Sequence, residues 1–378
     1  MKIIDIQGYS LSSGFGNKSY LGYLNNNNLK NIGVIEINTN KNITGYGETY
    51  SGVYAGELIK PIIDFLKTNI INNKLENIED IKKINNKILS KPFISRNGII
   101  PSIYSAINIA LYDALSQHKE KPLYKLLSKK SHKKVRLYAS NGSSTFSPKE
   151  IKKDVSKILE LGFSSYKMRV GFQKWNEDLK RVEAARSLLE NKNLMLDAIM
   201  GTISPPWNYN SAKKKIKQII KFNPMWIEEP LLPNDYYGYK QLNKKYPIAG
   251  GEALNNLFDY KIYNEFNCVD FIQPDVTNVG GYDVLKMITQ LFSKKKIAIH
   301  VWGSKIAFLS NLHFCLANKV NFLEYPMMHL NIDKEIVKES IKIKDDYIYP
   351  PEEPGLGIHI SSKTKKKYKI KRLSNYQL

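Results

Sequence analysis

Acidic residues recur at nearly regular intervals through the second half of the sequence. The series contains five acids and one histidine: Asp197, Glu228, Glu252, Asp275, His300 and Glu324. Successive members lie 31, 24, 23, 25 and 24 residues apart, so each interval is about the length of one strand plus one helix. Three carboxylates on adjacent strands, with no sulfur and no second histidine, would form a hard oxygen site that suits Mg2+ and leaves positions open for substrate.

Strand geometry constrains two further pairs of charged residues. Residues two apart on a strand face the same side, so Lys167 and Arg169 are both predicted to point towards the mouth of one site. By the same rule, only one of the adjacent Glu228 and Glu229, in the stretch MWIEEP (225–230), can point inward. Strand alternation alone does not decide which of the two it is.

Short apolar runs alternate with amphipathic stretches from about residue 135, a pattern typical of repeated βα units around a parallel sheet. Eight runs are predicted to be strands: 135–140, 165–170, 194–198, 226–230, 248–252, 271–275, 297–301 and 322–326. Helical patterns such as 177–190 and 281–296 fill the intervals. The predicted fold class is therefore α/β, a (β/α)8 TIM-like barrel, and the charged residues fall at the carboxyl ends of its strands, where barrel enzymes place their chemistry.

The rest of the chain follows other patterns. Residues 1–127, with alternating strands followed by helical segments, are predicted to form an N-terminal α+β capping domain. Residues 128–345 are predicted to form the barrel. The segment 346–378 begins with a stretch rich in proline and glycine and is expected to return over the capping domain, since it shows no further βα unit.

Composition narrows the class of protein. The 57 Lys and Arg residues against 35 Asp and Glu give a net charge of +22, but the lysines are spread along the whole chain, which indicates solvated surfaces and no nucleic-acid partner. Cys268 and Cys315 form neither a disulfide framework nor a thiolate metal site. No signal peptide and no long uncharged apolar segment is evident, so we expect a cytoplasmic protein without a membrane partner.

An isolated histidine is more often a packed core residue than a catalytic one. That interpretation is adopted for five of the six histidines: His118, His132, His313, His329 and His359. His300 differs because Asp275, one predicted strand earlier at the same level, could orient and charge its imidazole.

The motifs YKMRVG, LMLDA, WIEEPL, GGEAL, FIQPDVTNVGG, IAIHVWGS and FLEYP occur in this order between residues 166 and 326. Together with the later EPGLGI, they resemble the mandelate racemase subgroup of the enolase superfamily (the mandelate racemase/muconate lactonizing enzyme family). The resemblance implies that Asp197, Glu228 and Glu252 are Mg2+ ligands and that Glu229 points outward into the helix layer. It also implies a general acid–base dyad of Asp275 and His300.

The same resemblance assigns Glu324 to the substrate carboxylate, as a protonated donor, and matches Lys167 and Arg169 to a Lys-x-Lys pair. Arginine at the second position departs from the family, whose usual base there is lysine. A guanidinium stays protonated in proteins, which weighs against two-base racemisation. Relatives that lactonise their substrates or epimerise dipeptides use a lysine at the end of the sixth strand, and PDVTNVGG (274–281) has none.

The interpretation favoured is a lyase, an acid-sugar dehydratase that converts an aldonate or aldarate to a 2-keto-3-deoxy acid. A racemase or epimerase of a 2-hydroxy carboxylate, with Lys167 as second base, remains the alternative. A binding protein with a basic patch is a different class, which predicts salt-sensitive nucleic-acid binding. The expected partners are a small carboxylate and further copies of the chain, with specificity residing in the loops 13–23 and 50–57 and Ile199 standing where the family often has a polar group.

Overall fold

A three-stranded antiparallel sheet opens the fold. The computed structural model describes residues 1–16, 29–89, 92–95 and 97–370. The sheet has the order β1 (Ile3–Gly14), β2 (Leu29–Thr39), β3 (Thr44–Thr49). Among the described residues, six helices and one 3-10 turn (Gly56–Leu58) follow the sheet in this layer. The helices are α1 (Gly52–Ala55), α2 (Ile59–Ile70), α3 (Ile78–Leu89), α4 (Pro92–Ser95), α5 (Ile99–His118) and α6 (Leu123–Leu127).

Helix α5 packs directly on strand β3 because two glycines remove the side chains between them. A Cβ atom on Gly45 would lie 2.1 Å from the carbonyl oxygen of Ala110, and one on Gly47 would lie 2.0 Å from that of Ala106. Within the described part of the chain, α5 alone is long and apolar enough to span a membrane, and 89% of its most apolar 18 residues are buried inside the fold. It is built as the central helix of the capping layer.

Eight parallel strands then close into a barrel. They are β4 (Val135–Ser140), β5 (Ser165–Arg169), β6 (Asn193–Asp197), β7 (Trp226–Glu228), β8 (Ile248–Gly250), β9 (Phe271–Ile272), β10 (Lys296–Ile299) and β11 (Phe322–Pro326). Each strand pairs with the next, and β11 pairs with β4. The intervening helices are α7 (Pro148–Glu160), α8 (Trp175–Leu189), α9 (Tyr209–Ile219), α10 (Tyr236–Asn243), α11 (Leu257–Glu265), α12 (Gly281–Leu291) and α13 (Lys305–Ala317).

The predicted barrel with an N-terminal cap is confirmed. The observed strands are shorter than predicted where prolines interrupt the ladder: β7 ends before Pro230, and β9 ends before Pro274, since proline has no N–H to donate. The predicted helix 281–296 ends at Leu291, and Lys296 already belongs to β10.

An aromatic layer fills the barrel beneath the acidic residues. It contains Tyr138, Met195, Trp226, Ala249, Phe271, Ala298 and Phe322, each from a different strand. The ring centroids of Trp226 and Phe271 lie 4.8 Å apart. Trp226 stands two residues before Glu228 on one strand, so both side chains point into the barrel, and its indole N–H donates to Glu228 Oε2 at 2.9 Å. The packed layer therefore orients the acid above it.

The C-terminal part joins both layers. Its elements are α14 (Asp333–Ile336), β12 (Ile343–Lys344), β13 (Tyr347–Ile348) and α15 (Ser362–Lys367). β13 pairs antiparallel with β4 of the barrel. Further on, the Leu356 N–H donates to Asp113 of α5 at 2.8 Å, and Lys365 pairs with Glu36 of β2 at 2.6 Å. Tyr347–Ile348 thus extend the barrel sheet, whereas Leu356 and Lys365 contact the capping layer.

Candidate active site

The structure brings together all eight residues that the sequence singled out. Five of them lie in strands β5, β6, β7 and β11: Lys167, Arg169, Asp197, Glu228 and Glu324. The other three follow β8, β9 and β10 within three residues: Glu252, Asp275 and His300. All of these side chains are buried except Arg169, whose side chain is 14% exposed. They form one cluster at the carboxyl ends of the strands.

Lys167 occupies the centre of this cluster. Its Nζ lies 2.7 Å from Glu228 Oε1, 2.9 Å from Glu324 Oε1 and 3.6 Å from Asp197 Oδ2. Burial alone lowers the pKa of Lys167, but these carboxylates outweigh it and raise the pKa well above its usual value. Lys167 is therefore an ammonium donor in this arrangement.

Arg169 and Asp197 form an ion pair on neighbouring strands, in register with each other. Burial raises the pKa of Asp197 to about 7, with Arg169 opposing the rise and the nearby Glu228 adding to it. Asp197 Oδ1 is buried and accepts no hydrogen bond from any described residue. One oxygen of this carboxylate thus remains available to a further ligand.

The imidazole of His300 is held from behind by Asp275. His300 Nδ1 lies 3.1 Å from Asp275 Oδ2, which leaves Nε2 facing the cluster, 3.3 Å from Glu252 Oε2. Although burial lowers the pKa of His300, the charges of Glu252 and Asp275 raise it to about 9. The arrangement sets a tautomer with the proton on Nδ1 and an Nε2 that can accept or return a proton.

Asp275 is fixed by residues that sequence reasoning did not select. Its Oδ1 accepts the Thr277 N–H at 2.9 Å, the Thr277 hydroxyl at 2.8 Å and the Asn311 side-chain amide at 2.8 Å. Thr277 stands two residues after Asp275, a spacing that could have suggested a local Asx-type hydrogen bond. Asn311 lies on α13, and nothing in its sequence neighbourhood signals the contact.

Glu324 is a carboxylate in this structure. It accepts the Val301 N–H at 3.1 Å as well as the Lys167 ammonium. Burial raises its pKa, but Lys167 and His300 outweigh that effect and bring the pKa down to about 2. This differs from the protonated donor expected from sequence, because the sequence does not show how closely the Lys167 ammonium approaches.

Glu229 lies behind the cluster, on the side of the helix layer. Its backbone has a φ of +40°, which turns the chain directly after β7, and its side chain packs near the ring of Tyr239 from α10. It is 1% exposed, and burial together with the charge of Glu252 raises its pKa well above its usual value. Glu228 and Glu229 therefore occupy opposite sides of the strand.

Asp197, Glu228 and Glu252 provide a donor set that fits a hard divalent cation. They come from three consecutive strands, and Asp197 and Glu228 are paired in register. Each is balanced by a cation of the cluster: Asp197 by Arg169, Glu228 by Lys167 and Glu252 by His300. Among the described residues no three ligand side chains converge on one point, so binding an ion requires small side-chain rearrangements. The orphaned Asp197 Oδ1 and the purely oxygen donors fit Mg2+.

The capping layer reaches the site at two places. Glu48, in β3, accepts the backbone N–H groups of Ser304 and Ala307, both at 3.1 Å, and thereby caps helix α13 directly after the loop that carries His300. Tyr50 lies edge-on to His300, with 5.9 Å between ring centroids. Tyr50 belongs to the predicted specificity loop 50–57, whereas 17–23 of the other loop falls outside the described residues.

A small, partly open cleft lies beside the cluster. Its lining residues are Ser140, Asn141, Ser143, Arg169, Trp302, Pro326 and Met328, which lie in or just after strands β4, β5, β10 and β11.

Five histidines were predicted to be packed core residues. His313 is buried in the core and accepts the Tyr124 N–H at 3.1 Å, whereas the other four are partly or fully exposed. That assignment as core residues was wrong for these four. Ile199 adopts a left-handed conformation with a φ of +39° beside the cluster.

The fold and this site define a capped barrel with a ring of acids, a lysine and a histidine dyad at its carboxyl face. Residues 150–364 match the enolase C-terminal domain-like family, and residues 26–128 match the mandelate racemase/muconate lactonizing enzyme N-terminal domain. The chain belongs to the mandelate racemase/muconate lactonizing enzyme family of the enolase superfamily, as its motifs indicated.

Several relatives act on acid sugars. The chain is 29% identical to the L-talarate/galactarate dehydratase of Salmonella typhimurium, covering 88% of this chain and 81% of the relative. It is 26% identical to the 3,6-anhydro-alpha-L-galactonate cycloisomerase of Streptomyces coelicolor, and the match covers 86% of this chain and 87% of the relative. The Salmonella dehydratase structure with Mg and L-lyxarohydroxamate superposes with a TM-score of 0.83 at 26% identity, covering 98% of this chain and 93% of the other. Dehydration and cycloisomerisation of sugar acids are thus both represented among its relatives.

Proposed function

We propose that this protein dehydrates a sugar acid, an aldonate or aldarate, to a 2-keto-3-deoxy acid. The observation that carries the proposal is the His300–Asp275 dyad, in which Nε2 of His300 faces the cluster. Lys167 and Arg169, the two charged residues of β5, are both paired with carboxylates. A site with one available base suits elimination, in which a single group can remove one proton and return it. The similarity to the L-talarate/galactarate dehydratase supports this class of reaction.

Removing a proton α to a carboxylate creates a dianionic enediolate, which needs cationic groups aimed at the developing charge. Lys167, which pairs with Glu228, is the ammonium donor proposed for that charge, and Arg169, which pairs with Asp197, follows it by two residues. Asp197, Glu228 and Glu252 would hold Mg2+, which when bound supplies Lewis-acid stabilisation of that charge.

The proton balance involves His300 alone. Neutral Nε2 removes the proton from C2, and the pair of electrons from the C–H bond passes into the enediolate. The imidazolium, stabilised by Asp275 through Nδ1, then gives that proton to the β-hydroxyl at C3, and the C–O bond breaks with loss of water. The remaining enol tautomerises to the 2-keto acid, so no oxidant or further reactant is required.

The alternative, a racemase or epimerase of a 2-hydroxy carboxylate, needs a second base on the opposite face of C2. Lys167 is the candidate, but Glu228 and Glu324 keep it protonated, and Arg169 has no accessible neutral form. A screen of aldonates and aldarates for 2-keto product, with Mg2+ present, tests the proposed reaction directly. Absence of product together with interconversion of C2 epimers would establish the alternative.

We expect α-proton exchange from one face only. When the enzyme is incubated in D2O with each C2 epimer of a slowly reacting substrate, only one epimer should incorporate deuterium, because His300 is the single base. The readout is the loss of the C2 proton signal by NMR. Efficient labelling of both epimers would contradict this and indicate that Lys167 also exchanges protons.

The second prediction concerns the pH dependence of Asp275→Asn. The base acts in its neutral form, so the rate rises with pH and levels off above the His300 pKa, which is about 9 in the structure. A cation held by Glu252 would offset the charge of that carboxylate, whereas Asp275 would still act on His300 through Nδ1. Removing this anion makes the imidazolium less stable, and the rising limb should therefore move to lower pH while the plateau falls. A limb that stays in place or moves upward in the pH–rate profile would refute the role given to Asp275.

A binding protein with a basic patch would behave differently from an enzyme. It would bind nucleic acid in a salt-sensitive way and would retain that binding after loss of the carboxylates at the site. A nucleic-acid filter-binding assay of Glu228→Gln at low and high salt separates the two classes.

We propose that the partners of this protein are a small carboxylate and further copies of this chain.

A further inference from the structure

One buried lysine beside the site has no carboxylate partner among the residues that the structure describes. Lys30 lies near the start of β2 in the capping layer and is only 3% exposed. Its Nζ lies 3.4 Å from the centroid of the Trp302 ring, and it makes no hydrogen bond or ion pair with any residue in the described ranges. Burying an ammonium group without a counter-ion in direct contact is unfavourable, so an anionic ligand that reached this point would be bound by a group with no competing ion pair.

The acids around Lys30 are already engaged by other groups. Glu48 influences Lys30 most, but both of its carboxylate oxygens accept hydrogen bonds from Ser304, and one also accepts from Ala307. Asp333 accepts the N–H groups of Lys305 at 2.8 Å and Leu330 at 3.0 Å. Asp275 and Glu324 serve His300 and Lys167 as described above. None of them is left to neutralise Lys30 by direct contact.

The position of Lys30 connects it to the cleft. The Trp302 ring that it contacts lines the cleft together with Arg169 and Ser140, and Trp302 follows His300 by two residues. The Mg2+ ligands lie on or just after β6, β7 and β8, across the barrel from the β10 and β11 edge where Trp302 and Glu324 lie. A sugar acid with its reacting end at the cluster would extend past His300 towards Trp302 and Lys30.

We propose that Lys30 binds a second carboxylate at the far end of the substrate, which makes the substrate class the aldarates and excludes the aldonates as preferred substrates. This inference rests on the proposed function and narrows its substrate. A carboxylate is the ligand that fits, because it is the anion that a sugar acid can carry at both ends and a buried ammonium favours a charged acceptor over a hydroxyl.

The electrostatics of Lys30 agree with this role. Burial lowers the pKa of Lys30 to about 7, although Glu48 and Asp333 oppose the change. An arriving carboxylate would favour the charged form and restore the ammonium. The terminal hydroxyl of an aldonate offers no such compensation.

The test compares Lys30→Met with the wild type on a panel of aldarates, each paired with the aldonate of the same configuration. The wild type should prefer the aldarate. Lys30→Met should lower kcat/KM for the aldarate by about 10- to 100-fold, chiefly through KM, because a hydrogen bond between charged groups is lost. kcat/KM for the aldonate should fall much less than kcat/KM for the aldarate, because the terminal hydroxyl of the aldonate carries no charge for Lys30 to bind. The control is Lys365→Met, which removes a lysine that pairs with Glu36 and should affect neither substrate.

Equal losses on both members of a pair, or no loss on the aldarate, would overturn the role of Lys30 while leaving dehydration intact. If the wild type dehydrates no acid sugar, the proposed function fails instead. Binding then decides the role of Lys30: calorimetry of the Mg2+-loaded protein with galactarate and with galactonate should show weaker binding of the diacid alone in Lys30→Met. An equal effect of the substitution on both ligands would refute it.

Discussion

His300→Asn should lose several orders of magnitude in kcat while still binding Mg2+ and the substrate carboxylate. Neither of those ligands uses the imidazole, whereas elimination needs it twice, once as base and once as acid. General acid–base catalysis by one group is worth about 10²–10⁴-fold, and the variant forfeits both transfers. The measurement is kcat on an acid sugar that the wild type dehydrates, together with Mg2+ titration of both proteins.

His313→Asn provides the matched control for that experiment. His313 is equally buried but lies on α13 away from the cluster, with its Nδ1 accepting the Tyr124 N–H. Its replacement should lower the free energy of unfolding by about 1–3 kcal/mol and leave kcat in place. A His300→Asn enzyme within about tenfold of the wild type, a loss well below the range for such catalysis, would move the base to another residue, with Lys167 the first candidate.

Glu228→Gln should abolish turnover and weaken Mg2+ binding by more than about 100-fold, a larger loss than substitutions outside the coordination sphere produce. The variant removes a negative charge from the donor set and also leaves the Lys167 ammonium with one carboxylate fewer. Stripping the metal from the wild type should have the same effect on turnover. The measurements are calorimetric Mg2+ binding and kcat, with circular dichroism to show that the fold survives.

Glu229→Gln is the neighbouring control. Burial and the surrounding carboxylates raise the pKa of Glu229 well above its usual value, so glutamine reproduces the neutral form that the structure favours. The Mg2+ affinity of Glu229→Gln should fall by less than about tenfold, which is less than substitutions of residues that hydrogen-bond to metal ligands usually cost. Equal losses in the two variants would show that both glutamates bind the metal. Full activity of the wild type in excess chelator would overturn the metal-dependent mechanism.

The barrel was predictable because three signals coincide. The spacing of the acids from Asp197 to Glu324, the apolar runs beneath them and the helical intervals all have the length of one βα unit. The separation of Glu228 from Glu229 followed from strand alternation, with the resemblance choosing the side. These are local rules that act over a few residues or one repeat.

What could not be predicted depends on contacts between distant parts of the chain. The ionised state of Glu324 depends on the position of the Lys167 ammonium, and the anchoring of Asp275 depends on Asn311, 36 residues further on. Lys30 contacts Trp302 only because the fold brings β2 of the capping layer beside the loop after β10. Hydrogen bonds and charges of this kind follow from tertiary packing, which leaves no periodic trace in a sequence.

The cap that Glu48 places on helix α13 joins the two layers close to His300. Its carboxylate satisfies N–H groups at the start of α13, four residues after His300, so the histidine loop is held by a residue from the other layer. The barrel and its cover are consequently not interchangeable modules. A chimera in which this barrel receives the capping domain of a relative keeps its histidine loop ordered only if the incoming domain supplies a carboxylate at the position of Glu48.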